Sequence, residues 1–132
     1  MMEKSARIFV AGHRGMVGSA IVRELGREGY TNIITRTHSE LDLTSQAAVE
    51  EFFAQEKPEY VFVAAAKVGG IGANSQAPAD FMYINMTLEM NLIHSAFING
   101  CKKVEFLGSS CIYPRMCPQP IKEEYLLSGY LE

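Results

Sequence analysis

Short runs rich in apolar residues alternate along this chain with longer segments in which apolar side chains recur every three or four positions. The runs fall at 7–11, 32–35, 60–64 and 104–107. They predict short strands of a parallel sheet, and the first, continuously apolar from Ile8 to Ala11, is expected to be buried on both faces. Between the first two, Val17, Ala20, Ile21 and Leu25 keep helical spacing while Arg23, Glu24, Arg27 and Glu28 hold the wet side, which predicts a helix over about 16–28 stopped by Gly29. Thr44 or Ser45 caps a second helix, through about 55, that turns Val49, Phe52 and Phe53 inward. Pro58 separates it from the third strand, and a glycine-rich loop, 68–72, follows that strand. The longest helix is predicted over about 80–99. Phe81, Ile84, Leu88, Leu92 and Phe97 are expected to face the sheet, leaving Met82, Met86, Met90 and Ile93 in need of a second cover. After the fourth strand, 108–132 reads as turns around Pro114, Pro118 and Pro120, then an acidic, weakly helical end.

An order of β-α-β-α-β-α-β implies an α/β fold: an open parallel sheet with right-handed crossovers and helices on both faces. Ligands on such sheets sit beyond the carboxyl ends of the strands. Four loops therefore carry the expected site, 12–18, 36–43, 64–72 and 108–114, and every unusual residue cluster in the sequence falls in one of them.

Composition narrows the function classes. The 132 residues suit one domain, with 48% hydrophobic and 20% charged residues as in a soluble globular protein. A net charge of −3 gives no electrostatic basis for binding nucleic acid or an anionic membrane surface. Apolar stretches such as 60–66 are too short to span a bilayer, and the first strand begins too early to leave room for a signal peptide. Cys101, Cys111 and Cys117 are odd in number and lack metal-ligand spacing with the three histidines. The expectation is free thiols in a cytoplasmic protein with no metal site.

The candidate chemistry begins at Gly12-His13-Arg14-Gly15-Met16-Val17-Gly18, directly after the first strand. A buried strand running into a glycine-spaced turn and a helix is the layout of a dinucleotide-binding unit of the Rossmann type. Gly12 permits a tight turn, Gly15 lets backbone N–H groups approach a pyrophosphate, and Gly18 lets the helix pack closely on the sheet. The helix N-terminus supplies unpaired donors and a partial positive charge. About 20 residues on, where NAD-binding chains place a carboxylate for the ribose 2′-hydroxyl, this chain has Arg36-Thr37-His38. Arg14 and Arg36 converging on one pocket favour NADP(H), because a guanidinium pairs with a 2′-phosphate that a carboxylate would repel. Asp42 either accepts from the adenine amino group or caps the next helix. Around these, Leu41 and Leu43, Ala64 and Ala65, and Leu107 and Gly108 complete the expected cofactor contacts.

Three segments carry a resemblance to a known family: residues 10–19, Ala64-Ala65-Ala66-Lys67-Val68-Gly69-Gly70-Ile71, and Leu107-Gly108-Ser109-Ser110-Cys111-Ile112-Tyr113-Pro114. They are similar to the GDP-L-fucose synthases, which are extended short-chain dehydrogenase/reductases, and the resemblance covers essentially the whole chain. It implies epimerisation at C3 and C5 of a 4-keto GDP-sugar and then reduction of the ketone by NADPH, in a cytoplasmic homodimer. Ser109 matches the serine that hydrogen-bonds the keto oxygen, and Cys111 the cysteine that exchanges protons with the sugar carbons; Lys67 and Ser110 are expected near the substrate. The family also uses a Tyr-x-x-x-Lys pair and a histidine. No tyrosine here has a lysine four positions on, and His13, His38 and His94 do not match that histidine. Residues 1–132 are therefore expected to be the N-terminal part of an NADP-binding domain, cut off after about four strands, without the sugar-nucleotide domain and inactive alone. The competing expectations are a stand-alone nucleotide-binding or regulatory module and a self-associating piece with no function of its own. A reactive thiol at Cys111 favours the first reading, because a binding module needs none.

Overall fold

The first strand, β1 (Ile8–Ala11), is buried end to end, as a continuous apolar run requires at the centre of a two-faced sheet. The computed structural model describes residues 2–131. It places β1 between β2 (Ile33–Ile34) and β3 (Tyr60–Val63), with β4 (Lys103–Phe106) beyond β3, giving a parallel sheet in the order β2-β1-β3-β4. Ile8 pairs in register with both Ile33 and Tyr60, and Val61 pairs with Val104.

The pleat sorts the side chains. Ile8 and Val10 point to the face covered by α1 (Met16–Arg27), where they meet Leu25 and the half-buried Ile21, Val22 and Phe62. Phe9, Ala11, Val61 and Val63 point to the other face, covered by α2 (Gln46–Glu56) and the long helix α4 (Pro78–Ile98). There Phe9, Phe52 and Phe53 form an aromatic cluster with ring centroids 4.6–6.1 Å apart. Ser45 is the cap of α2, its hydroxyl accepting from the Ala48 N–H, as one of the two expected caps.

Four expectations are corrected. The glycine-rich loop contains a short helix, α3 (Ile71–Gln76), which packs on α4 and whose start is held by Asn74 donating to the carbonyls of Gly69 and Gly70. Next, α4 begins at Pro78, whose missing N–H costs nothing at a first helical position. Its Phe97 is 82% exposed rather than facing the sheet. Phe97 lies five residues past Leu92, about 140° round the helix, and the small Ser95 and Ala96 take the inward place. Finally, Val17 and Ala20 lie on the outside of α1, because burial of Gly18 against the β1 turn rotates the apolar stripe onto Ile21, Val22 and Leu25.

Candidate functional site

Between β1 and β3 the strand order reverses: the chain leaves β1 toward β2 on one side and leaves β3 toward β4 on the other. At such a switch point the loops diverge and open a crevice beyond the strand ends. A cleft of about 740 Å³ lies there. The first loop contributes Gly12, His13, Arg14 and Gly15; the second, Arg36, Leu41, Asp42 and Leu43; the third, Ala64, Ala65 and Lys67. Segments far apart in sequence thus meet in one pocket.

Two glycines set how closely its floor can pack. Gly12 has φ +82°, and a Cβ there would lie 2.5 Å from the Ala64 carbonyl oxygen. A Cβ on Gly18 would lie 2.2 Å from the Gly12 carbonyl oxygen. Any side chain at either point would drive apart the two loops, or the helix and the turn. Gly18 is buried beneath this floor, and Met16 and Val17 are exposed on α1 outside the cleft lining. Gly15 is the N-cap of α1, no side chain caps it and no acidic residue stands in the first turn. The first N–H groups of α1 are therefore left for a ligand, with the positive end of the helix dipole behind them. A cradle that side chains would fill, opening on free backbone donors, fits the pyrophosphate of a dinucleotide.

The second wall is rich in charge. The Arg36 guanidinium donates through Nη2 to Glu56 at the end of α2 and through Nη1 to the Thr35 carbonyl (2.8 Å), and it stacks over Phe52 at 5.4 Å. Arg14 is exposed. The Glu40 carboxylate accepts from both the N–H and the hydroxyl of Thr37, each at 2.7 Å. Those two bonds hold its pKa below the usual carboxylate value, and the Arg36 and Arg14 charges add to the effect. Asp42 accepts from the Thr44 hydroxyl (2.7 Å) and N–H (2.9 Å), which lower its pKa, with His38 Nδ1 3.9 Å away. Of the two roles open to Asp42, its carboxylate in this structure serves the turn ahead of α2.

The third wall is fixed from behind by α4. Asn85 accepts from the Lys67 N–H (2.7 Å) and donates to the Lys67 carbonyl (3.0 Å), and the Lys67 ammonium sits over the Phe81 ring at 5.1 Å. Asn91 donates to the Leu43 carbonyl (3.0 Å). These two asparagines, with Glu40 and Glu56, escape the sequence reading; the available signal was an amide on an otherwise apolar helix.

The fourth loop stands at the same edge of the sheet but outside the cleft lining. The Leu107 N–H donates to the Val63 carbonyl at 3.4 Å, continuing β4 upward, and Gly108 follows in the open. Ser109 accepts from the Cys111 N–H (3.2 Å), capping a single helical turn, Ser110–Ile112. Ser109, Ser110 and Cys111 are all exposed. The capping bond uses a lone pair of the Ser109 oxygen and leaves its O–H free to donate. Cys101 differs: its thiol donates to the carbonyls of Glu59 and Lys103, and burial raises its pKa. Among the described residues no helix is long and apolar enough to cross a membrane.

Residues 8–131 match the NAD dependent epimerase/dehydratase family. The chain is 66% identical to a putative GDP-L-fucose synthase 2 of Arabidopsis thaliana over all of its own length and 40% of that protein's. It is 55% identical to the GDP-L-fucose synthase of Escherichia coli K12 over 96% of this chain and 39% of the relative. Among solved structures, a GDP-mannoheptose C4 reductase from Campylobacter jejuni with NADP bound superposes with a TM-score of 0.93, at 45% identity, over 100% of this chain and 42% of that one. The chain spans about 40% of the length of the curated relatives it matches.

Proposed function

The chain belongs to the NAD dependent epimerase/dehydratase family, and from that premise we propose that it is the cofactor-binding part of a GDP-L-fucose synthase using NADP(H). The proposed reaction takes GDP-4-keto-6-deoxy-D-mannose to GDP-L-fucose by epimerisation at C3 and C5 and reduction at C4. The observation that carries this reading is the switch-point cleft, with its glycine floor and its arginines where an NAD-binding wall would present a carboxylate. The identity to GDP-L-fucose synthases over the whole chain supports the substrate class.

When bound, the cofactor supplies hydride to the ketone carbon. The N–H groups at the start of α1 hold the pyrophosphate, and Gly12 and Gly18 keep the floor low enough for it to lie close. Arg14 and Arg36 face the 2′-phosphate. Ser109, with its O–H free, hydrogen-bonds the keto oxygen and stabilises charge developing there. Cys111 exchanges protons with C3 and C5, a task suited to a thiol held in the open at the edge of the sheet. Lys67, steadied by Asn85 and Phe81, and Ser110 stand near the sugar nucleotide. These 132 residues contain no Tyr-x-x-x-Lys pair, so the proton for the alkoxide is assigned to no residue among them. A second copy of the chain covers the outer face of α4, giving a homodimer in the cytoplasm.

Calorimetric titration of NADP and NAD tests the cofactor. Arg14→Ala is expected to lose about 1.5–3 kcal/mol of NADP binding, the scale of charge-assisted hydrogen bonds. Arg36→Ala is expected to lose less, since Glu56 already offsets its charge. NAD binding should hardly move in either variant, and equal losses for the two cofactors would overturn the assignment. For the thiol, Cys111→Ser in the intact enzyme is expected to abolish solvent deuterium incorporation at C3 and C5 while reduction of an already epimerised ketone persists. Undiminished exchange would make Cys111 structural.

A further inference from the structure

Two arginines alone suggest a strongly positive pocket, yet the wall that bears Arg36 is not one. Asp42 lines it beside His38, whose side chain is 86% exposed, while Glu40 and Glu56 bond to Thr37 and Arg36 from outside the lining. The three carboxylates are not equivalent. Asp42 is engaged by the N–H and hydroxyl of Thr44, and Glu56 lies in a half-buried pair with Arg36. Glu40 is exposed, and one of its oxygens, Oε2, takes up the N–H and hydroxyl of the residue that directly follows Arg36. An N–H and an O–H converging on one charged oxygen at 2.7 Å form an anion cradle, and here the anion in it is the chain's own.

We propose that Glu40 is a specificity-determining residue: its carboxylate, seated on the Thr37 N–H and hydroxyl, is a built-in anion that opposes the 2′-phosphate at the Arg14–Arg36 wall. The inference rests on the NADP reading above and sets the strength of the preference rather than its existence. Glu40 draws on the fields of both guanidiniums, so a phosphate brought to them meets arginines already partly satisfied and a like charge beside them. With the wall open to solvent, one carboxylate acting on a phosphate dianion across about 6–8 Å amounts to roughly a five- to tenfold effect on binding. Glutamine at position 40 keeps a carbonyl oxygen for the same two Thr37 donors and removes only the charge.

The test compares adenosine 2′,5′-bisphosphate with adenosine 5′-monophosphate, which differ by the 2′-phosphate alone, titrated into the intact protein. In Glu40→Gln the preference for the bisphosphate is expected to rise about five- to tenfold over wild type. Binding of the monophosphate reports that the pocket is folded. A preference that stays the same or falls, with the monophosphate still bound, overturns the proposal and leaves the NADP reading standing. A wild type that does not distinguish the two ligands overturns the NADP reading, and this inference with it. If Glu40→Gln no longer binds the monophosphate, the neutral Glu40→Ser is read in the same way. Loss of monophosphate binding in both variants would make Glu40 a folding residue and sink the proposal.

Discussion

Identical substitutions at two glycines of α1 should move stability in opposite directions, because they meet different surroundings. An alanine Cβ at position 18 would lie 2.2 Å from the Gly12 carbonyl oxygen and 2.7 Å from its carbon, both backbone atoms with no room to yield. Gly18→Ala is therefore expected to cost roughly 1–3 kcal/mol, the scale of overpacking, and to distort the turn that forms the cleft floor. At Gly26 a Cβ meets nothing within 4 Å, and the residue lies in the last turn of the helix. There Gly26→Ala is expected to gain about 0.5–1 kcal/mol by restricting the unfolded chain. Urea midpoints of the two variants check the pair; a Gly18→Ala protein as stable as wild type would mean that α1 does not pack on its turn this closely.

At the scale of elements, α4 is the one whose sequence asks for two covers. Leu88, Leu92 and Ala96 are buried under it, while Met82, Met86, Met90, Ile93 and Phe97 are each 47–82% exposed. A helix apolar on both sides is ordinarily buried on both sides, and a contiguous apolar face of this kind marks an interaction surface. Self-association through α4 is the expected consequence, and Met90→Glu should weaken it by placing an unpaired charge in the middle of the face. Sedimentation of wild type and variant decides it: a wild type that stays monomeric at high concentration would refute the shared face. Much of this was legible beforehand, since the four residues Met82, Met86, Met90 and Ile93 follow from spacing alone. The helix α3 was not. A six-residue helix has too few internal hydrogen bonds to announce itself, and it forms here against α4 and on the side chain of Asn74.

For the molecule as a whole, the end of the sheet opposite the cleft is tied together at Glu59. Its carboxylate accepts from Lys102 Nζ (2.6 Å) and from the Arg7 N–H (3.0 Å), and its carbonyl accepts from the Lys102 N–H (2.8 Å). One residue thus joins the segments leading into β1, β3 and β4. The Lys102 ammonium first, and then the Arg7 N–H, hold the Glu59 carboxyl below its usual 4.5. A carboxylate whose folded pKa is depressed adds stability above its unfolded value, and that contribution drains away as the pH falls through the folded one. Glu59→Gln should therefore be less stable than wild type above about pH 4.5, and the gap should close as the medium is acidified. Urea midpoints between neutrality and acid measure this; a gap that is constant with pH would show that the charge of Glu59 contributes nothing.

The sequence by itself determined the features that are local or periodic. Apolar-rich runs located four strands, 3.6-residue spacing located the long helices, Thr44 or Ser45 marked a cap, and the Gly12–Gly18 spacing marked a tight turn into a helix. Each of these rests on interactions within a few residues, so each leaves a readable pattern. The tertiary structure alone decided what a side chain does once distant segments meet. Arg36 reads as a phosphate ligand in isolation but is shared with Glu56, 20 residues away, and Lys67 is held by Asn85, 18 residues away. Phe97 and Val17 fit the period of their helices yet point outward, because Ala96 and Gly18 fit the available space more closely. Spacing records which face a residue can occupy. Only packing settles which of the candidates is buried there, and only the assembled loops settle which charges neutralise one another.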